Sequence, residues 1–206
     1  MGKIENNKKQ KLNSILSTAF HLFTTKGVSD TSIAEISEQA GVAKGTFYLY
    51  FKDKYDIRNK LISHESSKLF KQSHSALLEY CNSHPDISLS FEEKMLFIID
   101  HIIDILAANK SLLTFISKNL SWGIFKEALT NNVHDDDINF RDVFLLMIEE
   151  SENQIDQPEI MLFMIVEFAS STCYSSILYS EPTDINSLKP YLYQSIGSII
   201  KNHMKV

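Results

Sequence analysis

The sequence predicts an all-α chain of about nine helices, on three observations. Apolar residues recur at steps of three and four along most of the 206 residues, the period of a helix with one buried face. Only 6 Gly and 4 Pro are present, too few for a β-sandwich or barrel, which needs a turn every ~8–12 residues. No stretch alternates as a strand does. With 44% hydrophobic and 22% charged residues, the composition is that of a globular protein and excludes disorder, a fibrous repeat or a coiled-coil rod.

The first helix is set by Leu12, Ile15, Leu16, Ala19, Phe20 and Phe23, which share a face, and Gly27 closes it as a left-handed cap. After a loop at Val28–Thr31, the run Ser32-Ile33-Ala34-Glu35 reads as a capping box. The second helix buries Ile33, Ile36 and Ala40 and stops at Gly41. A short third helix runs from Ala43 or Lys44 to Tyr50, with Phe47 and Phe51 inward and Lys44, Thr46, Tyr48 and Tyr50 outward. Asp53 is the expected N-cap of a fourth helix, Lys54 to about Tyr80, which ties the first three helices to the rest.

Pro85 and Ser88–Ser90 mark a break. Helices are then expected over Phe91–Ala108, from Asn109–Lys110 through Phe125, over Ile138–Glu150, over Pro158–Tyr179 and from about Asn186 or Ser187 to His203. Pro158 suits a first helical turn, and Pro190 is placed within the first turn of the last helix for the same reason. The Pro158 helix is apolar nearly all round, so it must be covered on more than one side. The resulting division is a three-helix head at residues 1–53 and a helical body at 54–206, joined by the connecting helix at about 54–80.

Charge is unevenly spread. Residues 1–60 carry ten Lys and Arg against six acids, and the remaining 146 carry ten against twenty. A basic head on an acidic body points to a polyanionic partner for the head. Cys81 and Cys173 lack CxxC or Cys-His spacing, so reduced thiols are expected. His134-Asp135-Asp136-Asp137 reads as an exposed acidic loop before a helix rather than a metal site. Neither metal nor cofactor is expected. The most apolar stretch, Met95–Ala108, is cut by Asp100, His101 and Asp104, so no membrane span is expected. The polar N-terminus lacks a signal-peptide core, and the expected location is cytoplasmic.

Function concentrates in Thr31–Lys54. Two short helices separated by Gly41-Val42-Ala43 read as a helix-turn-helix, whose second helix can enter a DNA major groove. Lys44 brings a cation to its leading end, Gly45 lets the backbone approach, and Thr46 offers a hydroxyl and a methyl to a base. Tyr48 and Tyr50 can donate to phosphates. Lys54, at the start of the fourth helix, can meet the DNA backbone, as can Thr31 and Ser32 on the other side of the groove. Phe20, Phe23, Ile33, Ile36, Phe47 and Phe51 are expected in the core. The Lys8–Lys11 cluster reads either as a basic arm or as a solvated helix start.

The run Gly41-Val42-Ala43-Lys44-Gly45-Thr46-Phe47-Tyr48-Leu49-Tyr50-Phe51, with Lys54 beyond it, resembles the DNA-binding signature of tetracycline-repressor-type (TetR) regulators. The likeness extends back through Ala19-Phe20, Phe23, Gly27 and Thr31-Ser32-Ile33 and covers about the first 60 residues. It implies that Lys44, Gly45, Thr46 and Leu49 face bases and that Tyr48, Tyr50, Lys54, Thr31 and Ser32 face phosphates. Two departures stand out. Ala43 occupies a position that many members give to a capping Ser or Thr, and Ala34 one that some give to a polar base reader.

For the body the expectation is a homodimer through the last two helices, with Leu192, Ile196, Ile199 and Ile200 as a second apolar stripe beside the Pro158 helix. Candidate effector-pocket residues are Phe97, His101, Phe115, Trp122, Phe125, Phe144, Met147, Met164 and Phe168, for a small, largely apolar effector. The reading is a ligand-responsive regulator that binds double-stranded DNA as a repressor, with the connecting helix as lever. An activator or a partner-regulated DNA-binding protein is the alternative. No nucleophile elbow, phosphate loop or HExxH pair suggests an enzyme.

Overall fold

A computed structural model of the chain describes residues 3–119 and 140–205, with side chains for 6–117 and 141–205. Among the described residues there are nine helices: α1 (Lys3–Thr25), α2 (Ile33–Gln39), α3 (Lys44–Tyr50), α4 (Lys54–Ser83), α5 (Phe91–Ala108), α6 (Lys110–Asn119), α7 (Phe140–Glu149), α8 (Pro158–Tyr179) and α9 (Ile185–His203). The all-α class is thus observed. The predicted helical residues Trp122 and Phe125 and the acidic loop His134–Asp137 lie outside the described residues.

Local chemistry explains the helix ends. Gly27 and Gly41 sit at φ +90 and +67, where a Cβ would strain the backbone. Ser32 caps α2 by accepting from the Glu35 amide at 3.1 Å. Only half of the expected capping box forms, because the Glu35 carboxylate pairs with Lys26 at 2.6 Å instead. Asp53 caps α4, accepting from the amides of Tyr55 and Asp56 at 2.7 and 2.8 Å. The reciprocal box occurs at α5, where Ser90 and Glu93 satisfy each other's amides.

Two corrections follow from caps and pairing. Asp184 caps α9 by accepting from Asn186 and Ser187, so the helix starts at Ile185 and Pro190 falls in its second turn. The strand-free expectation also yields at one point. β1 (Gln154–Ile155) pairs antiparallel with β2 (Met204–Lys205), and the Asp156 amide donates to the His203 carbonyl at 2.7 Å. Two residues per strand leave no alternation to detect.

The buried residues form two cores. One holds Ile15, Ala19 and Phe23 of α1, Ile36 of α2, and Phe47 and Phe51 around α3. It does not end at Asp53: α4 contributes Ile57, Leu61, Ile62 and Leu69, and α6 contributes Leu112, Phe115 and Ile116. The other core lies in the body, among α4, α5, α7, α8 and α9, with Leu113 of α6. Helices α4 and α6 therefore belong to both cores.

A polar cluster fastens α9 to α5. The Lys189 ammonium donates to Asp100 at 2.6 Å and also to Asp104, and the Tyr193 hydroxyl donates to Asp100. Partial burial pushes the Asp100 carboxyl up, but these hydrogen bonds outweigh it and hold it below the usual range.

Leu192, Ile196 and Ile200 are fully buried inside the chain. They are not the outward stripe expected of a dimer face, because the α9 face that packs on α5 and α8 consumes them. The outer face of α9 carries Tyr191, Gln194, Ser195 and Ser198. Helix α8 does keep an uncovered apolar patch, with Ile160, Phe163 and Met164 exposed. Among the described residues α8, not the α5 stretch, is the helix long and apolar enough to cross a bilayer by length and composition. Its Met161, Leu162 and Ile165 pack into the body core.

Candidate nucleic-acid interface and effector cavity

Helix α3 is seven residues long and cannot stand alone. It is anchored by Phe47, fully buried, and by Phe51 just beyond its end; their rings lie 5.4 Å apart. That anchor leaves the opposite side open. Leu49 is 82% exposed and Tyr48 51%, and Lys44 and Gly45 are also exposed. Nothing lies within 4 Å of the position a Cβ would take on Gly45, so the backbone there is accessible to a partner. Thr46 is half-buried. Ala43 makes no side-chain cap, as its methyl dictates. A short, rigid ridge with an apolar tip, a cation at its start and a phenol on its flank suits the depth and width of a major groove.

The flanking positions divide. Ser32 is exposed, and a hydroxyl that accepts the Glu35 amide still has its proton to donate outward. Tyr50 is half-buried, and its hydroxyl donates to the Lys8 carbonyl at 3.4 Å. Lys54 donates to the carbonyls of Ser29 and Thr31 at 2.8 and 3.2 Å. Its ammonium thus fixes the loop before α2 and presents a positive charge at the same edge. Thr31 does not fit the phosphate role expected of it. It is 2% exposed, and its hydroxyl donates to the Gly27 carbonyl at 2.8 Å, because closing the α1–α2 turn buries it.

The Lys8–Lys11 segment is helical, part of α1, rather than an extended arm. Two further contacts that the sequence reading missed fix the head: the Lys26–Glu35 pair, and the Ser14 hydroxyl donating to the Ala40 carbonyl at 2.9 Å. The second ties α1 to the end of α2.

In the body a cavity of about 170 Å³ is walled by α4, α5, α6, α7 and α8. Its walls are mainly aliphatic, with Ile98, Ile102, Leu113, Ile165 and Val166 prominent, and Phe70, Phe144, Met147 and Cys173 also reach it. Burial in this setting pushes the Cys173 thiol up to about 11, so it behaves as a small apolar group.

Of the predicted pocket residues, Phe144 and Met147 line this cavity. Five others do not. Phe97 packs on Tyr80, ring centroids 5.4 Å apart. His101 shares a 3.1 Å hydrogen bond with Ser73. Phe115 points into the head core, 5.4 Å from Phe20 and 6.3 Å from Phe23. Met164 is on the open face of α8, and Phe168 is half-buried at the body core's margin. Trp122 and Phe125 are outside the described residues. The aliphatic walls were missed because aromatic residues were weighted over the adjacent pairs Ile98-Ile99 and Ile102-Ile103. Those pairs give α5 two apolar faces, one more than a single core needs.

Residues 15–61 match the family model described as bacterial regulatory proteins, tetR family. The chain is 32% identical to the fatty acid metabolism regulator protein of Bacillus subtilis (strain 168) over 51% of this chain and 50% of that one. It is 34% identical to the regulator AcrR of Shigella flexneri over 44% of this chain and 39% of that one. The aligned part thus spans half the length of these curated relatives or less. Over most of its length it is 25% identical to the probable regulator YttP of Bacillus subtilis, covering 91% and 88%.

Two solved structures share the whole fold. The fatty acid degradation regulator FadR from Bacillus halodurans superposes with a TM-score of 0.62 at 18% identity, over 90% of this chain and 97% of that one. FadR from Bacillus subtilis in complex with stearoyl-CoA gives 0.62 at 20%, over 92% and 99%. The matched segment is the one that builds α1 to the start of α4 around Phe47 and Phe51, and over those residues the chain is similar to the tetR family of bacterial regulatory proteins.

Proposed function

We propose that the protein is a ligand-responsive, sequence-specific DNA-binding regulator, a repressor released from its operator by a small apolar effector. The exposed ridge of α3 carries this reading: Lys44, Tyr48 and Leu49 face outward from a helix whose opposite side is buried. Residues 1–53 act as the DNA-binding unit and 54–206 as the effector and dimerisation unit, with the first half of α4 packed into the core of the DNA-binding unit. Such a regulator works in the cytoplasm, beside the chromosome.

Lys44, Gly45, Thr46 and Leu49 read bases; Tyr48, Tyr50, Lys54 and Ser32 contact phosphates. One head recognises one half-site, so two must be held ~34–36 Å apart or a multiple of that. The open apolar patch on α8, with the outer face of α9 that carries Tyr191, Gln194, Ser195 and Ser198, supports a homodimer across a two-fold axis. The aliphatic cavity supports an effector with a hydrocarbon portion. The Bacillus subtilis FadR bound to stearoyl-CoA has the same fold, which favours a chain-like rather than a ring-like ligand.

Coupling runs through the helices that belong to both cores. Leu113 and Ile116 of α6 line the cavity, while Phe115, between them, packs on α1. Helix α4, the lever expected from the sequence, therefore has a partner in α6. Effector binding need favour the non-binding state by only ~1–3 kcal/mol to lower operator affinity 5–150-fold. The test is fluorescence anisotropy with DNA from upstream of the protein's own gene. Salt-sensitive, sequence-selective binding by a dimer supports the reading, and equal affinity for scrambled DNA refutes it.

A further inference from the structure

The end of α3 is held by polar contacts as well as by its buried rings. Ala43 gives the helix no side-chain cap at its start, and its last carbonyls have no partner within the helix. Lys60, in the second turn of α4, reaches back over the Phe51 ring, its ammonium 5.0 Å from the ring centre. That ammonium donates to the Tyr50 carbonyl at 3.2 Å. Asp56, one turn nearer the start of α4, accepts from the Lys52 amide at 2.8 Å and stands 3.6 Å from the Lys60 ammonium. The two side chains, four residues apart on one face of α4, therefore grip the chain on both sides of Phe51. Helix polarity favours the arrangement: the cation lies at the negative end of α3, and the carboxylate lies in the first turn of α4, its positive end.

We propose that Asp56 and Lys60 are positioning residues for DNA recognition: the pair locks the end of α3 to α4 and so sets the angle at which Lys44, Tyr48 and Leu49 enter the groove. The proposal rests on reading α3 as the helix that enters the groove. Neither residue need touch DNA. Phe47 and Phe51 decide how deeply α3 is seated, but apolar burial is non-directional. Hydrogen bonds to the Tyr50 carbonyl and the Lys52 amide supply the direction. Over the roughly 10 Å that seven residues span, a tilt of about 10° moves the far end by about 2 Å, enough to break a base contact of hydrogen-bond length.

The test compares Asp56→Ala, Lys60→Met and Lys60→Arg with the parent, each shown to fold by circular dichroism. Selectivity is the ratio of affinities, by fluorescence anisotropy, for a duplex from upstream of the protein's own gene and for a scrambled duplex of the same composition. It should fall about tenfold in both Asp56→Ala and Lys60→Met, as for one mismatched base pair, and be retained in Lys60→Arg, which keeps the cation and its N–H donors. Charge alone predicts otherwise: Asp56→Ala should tighten binding to either duplex and Lys60→Met loosen it, with selectivity intact. A merely stabilising pair would lower Tm and also leave selectivity intact. Hydrogen exchange gives a readout without DNA: amides of α3 and Phe51 should exchange faster in both variants, and those of α1 should not. Unchanged selectivity in Asp56→Ala and Lys60→Met, unchanged exchange in α3, or a loss in Lys60→Arg as deep as in Lys60→Met overturns the positioning role. A parent protein without selectivity overturns the reading of α3 itself.

Discussion

Replacing Phe115 separates a junction residue from a ligand contact. Its side chain is 3% exposed, edge-on to Phe20 and stacked near Phe23. Phe115→Ala empties a site walled by α1 and α6, and such truncations cost ~3–5 kcal/mol. Phe115→Leu keeps most of the apolar volume and loses the two ring pairs, each worth ~0.5–1.5 kcal/mol, so it should cost roughly 1–2 kcal/mol. Thermal unfolding followed by circular dichroism reads this directly. For a chain of about this size each kcal/mol moves Tm by ~2–4 °C, which gives a drop of roughly 10 °C for Ala and a few degrees for Leu. A cycle with Phe20→Leu should return a coupling of ~0.5–1.5 kcal/mol. If Phe115→Ala lowers Tm by less than 2 °C, the claim that α6 is built into the head core is wrong.

Three other outcomes follow from the same contacts. Thr31→Val should cost about 1 kcal/mol of stability, since it removes the hydrogen bond from the buried Thr31 hydroxyl to the partly buried Gly27 carbonyl; operator affinity of the folded protein, measured by anisotropy, should change less than threefold, and a tenfold loss would restore Thr31 to the DNA interface. The Asp100 carboxyl is held low in the folded state, so its stabilisation is present above the unfolded carboxylate pKa near 4 and is lost as pH falls through the lower folded value. Urea unfolding between pH 6 and pH 3 should show that loss in the parent and a flatter profile in Asp100→Asn. The Cys173 thiol, raised to about 11 and 3% exposed, should be alkylated by iodoacetamide at pH 8 far more slowly than half-exposed Cys81. A bound effector should slow it further, and equal rates for the two thiols would contradict the cavity assignment.

Much of the head was legible because local rules and packing agree there. Gly27, Ser32, Gly41 and Asp53 each mark a helix boundary by backbone or capping chemistry, and Phe47 and Phe51 could face only inward. Thr31 was misplaced because its burial depends on how tightly the α1–α2 turn closes, a tertiary fact. The body was legible as helices and much less as a site. Phe115 and Met164 look equally apolar in sequence; one points into the head core and the other to the open face of α8, and helical spacing cannot tell two buried faces apart. The same ambiguity hid the direction of Leu192, Ile196 and Ile200, whose stripe could serve a dimer face or the chain's own core. Asp184 competed with Pro190 to set the start of α9, and the cap won.

The most direct measurement is operator affinity for Lys44→Ala and Tyr48→Phe, titrated by fluorescence anisotropy over a range of salt concentrations with both variants shown to fold. Both side chains are exposed on α3, so neither change should lower Tm. If α3 enters the groove, Lys44→Ala should weaken binding about tenfold or more and relax preference at one base position, and Tyr48→Phe should weaken it several-fold on every sequence alike. Parental affinity and selectivity in both variants would show that DNA is met by some other surface.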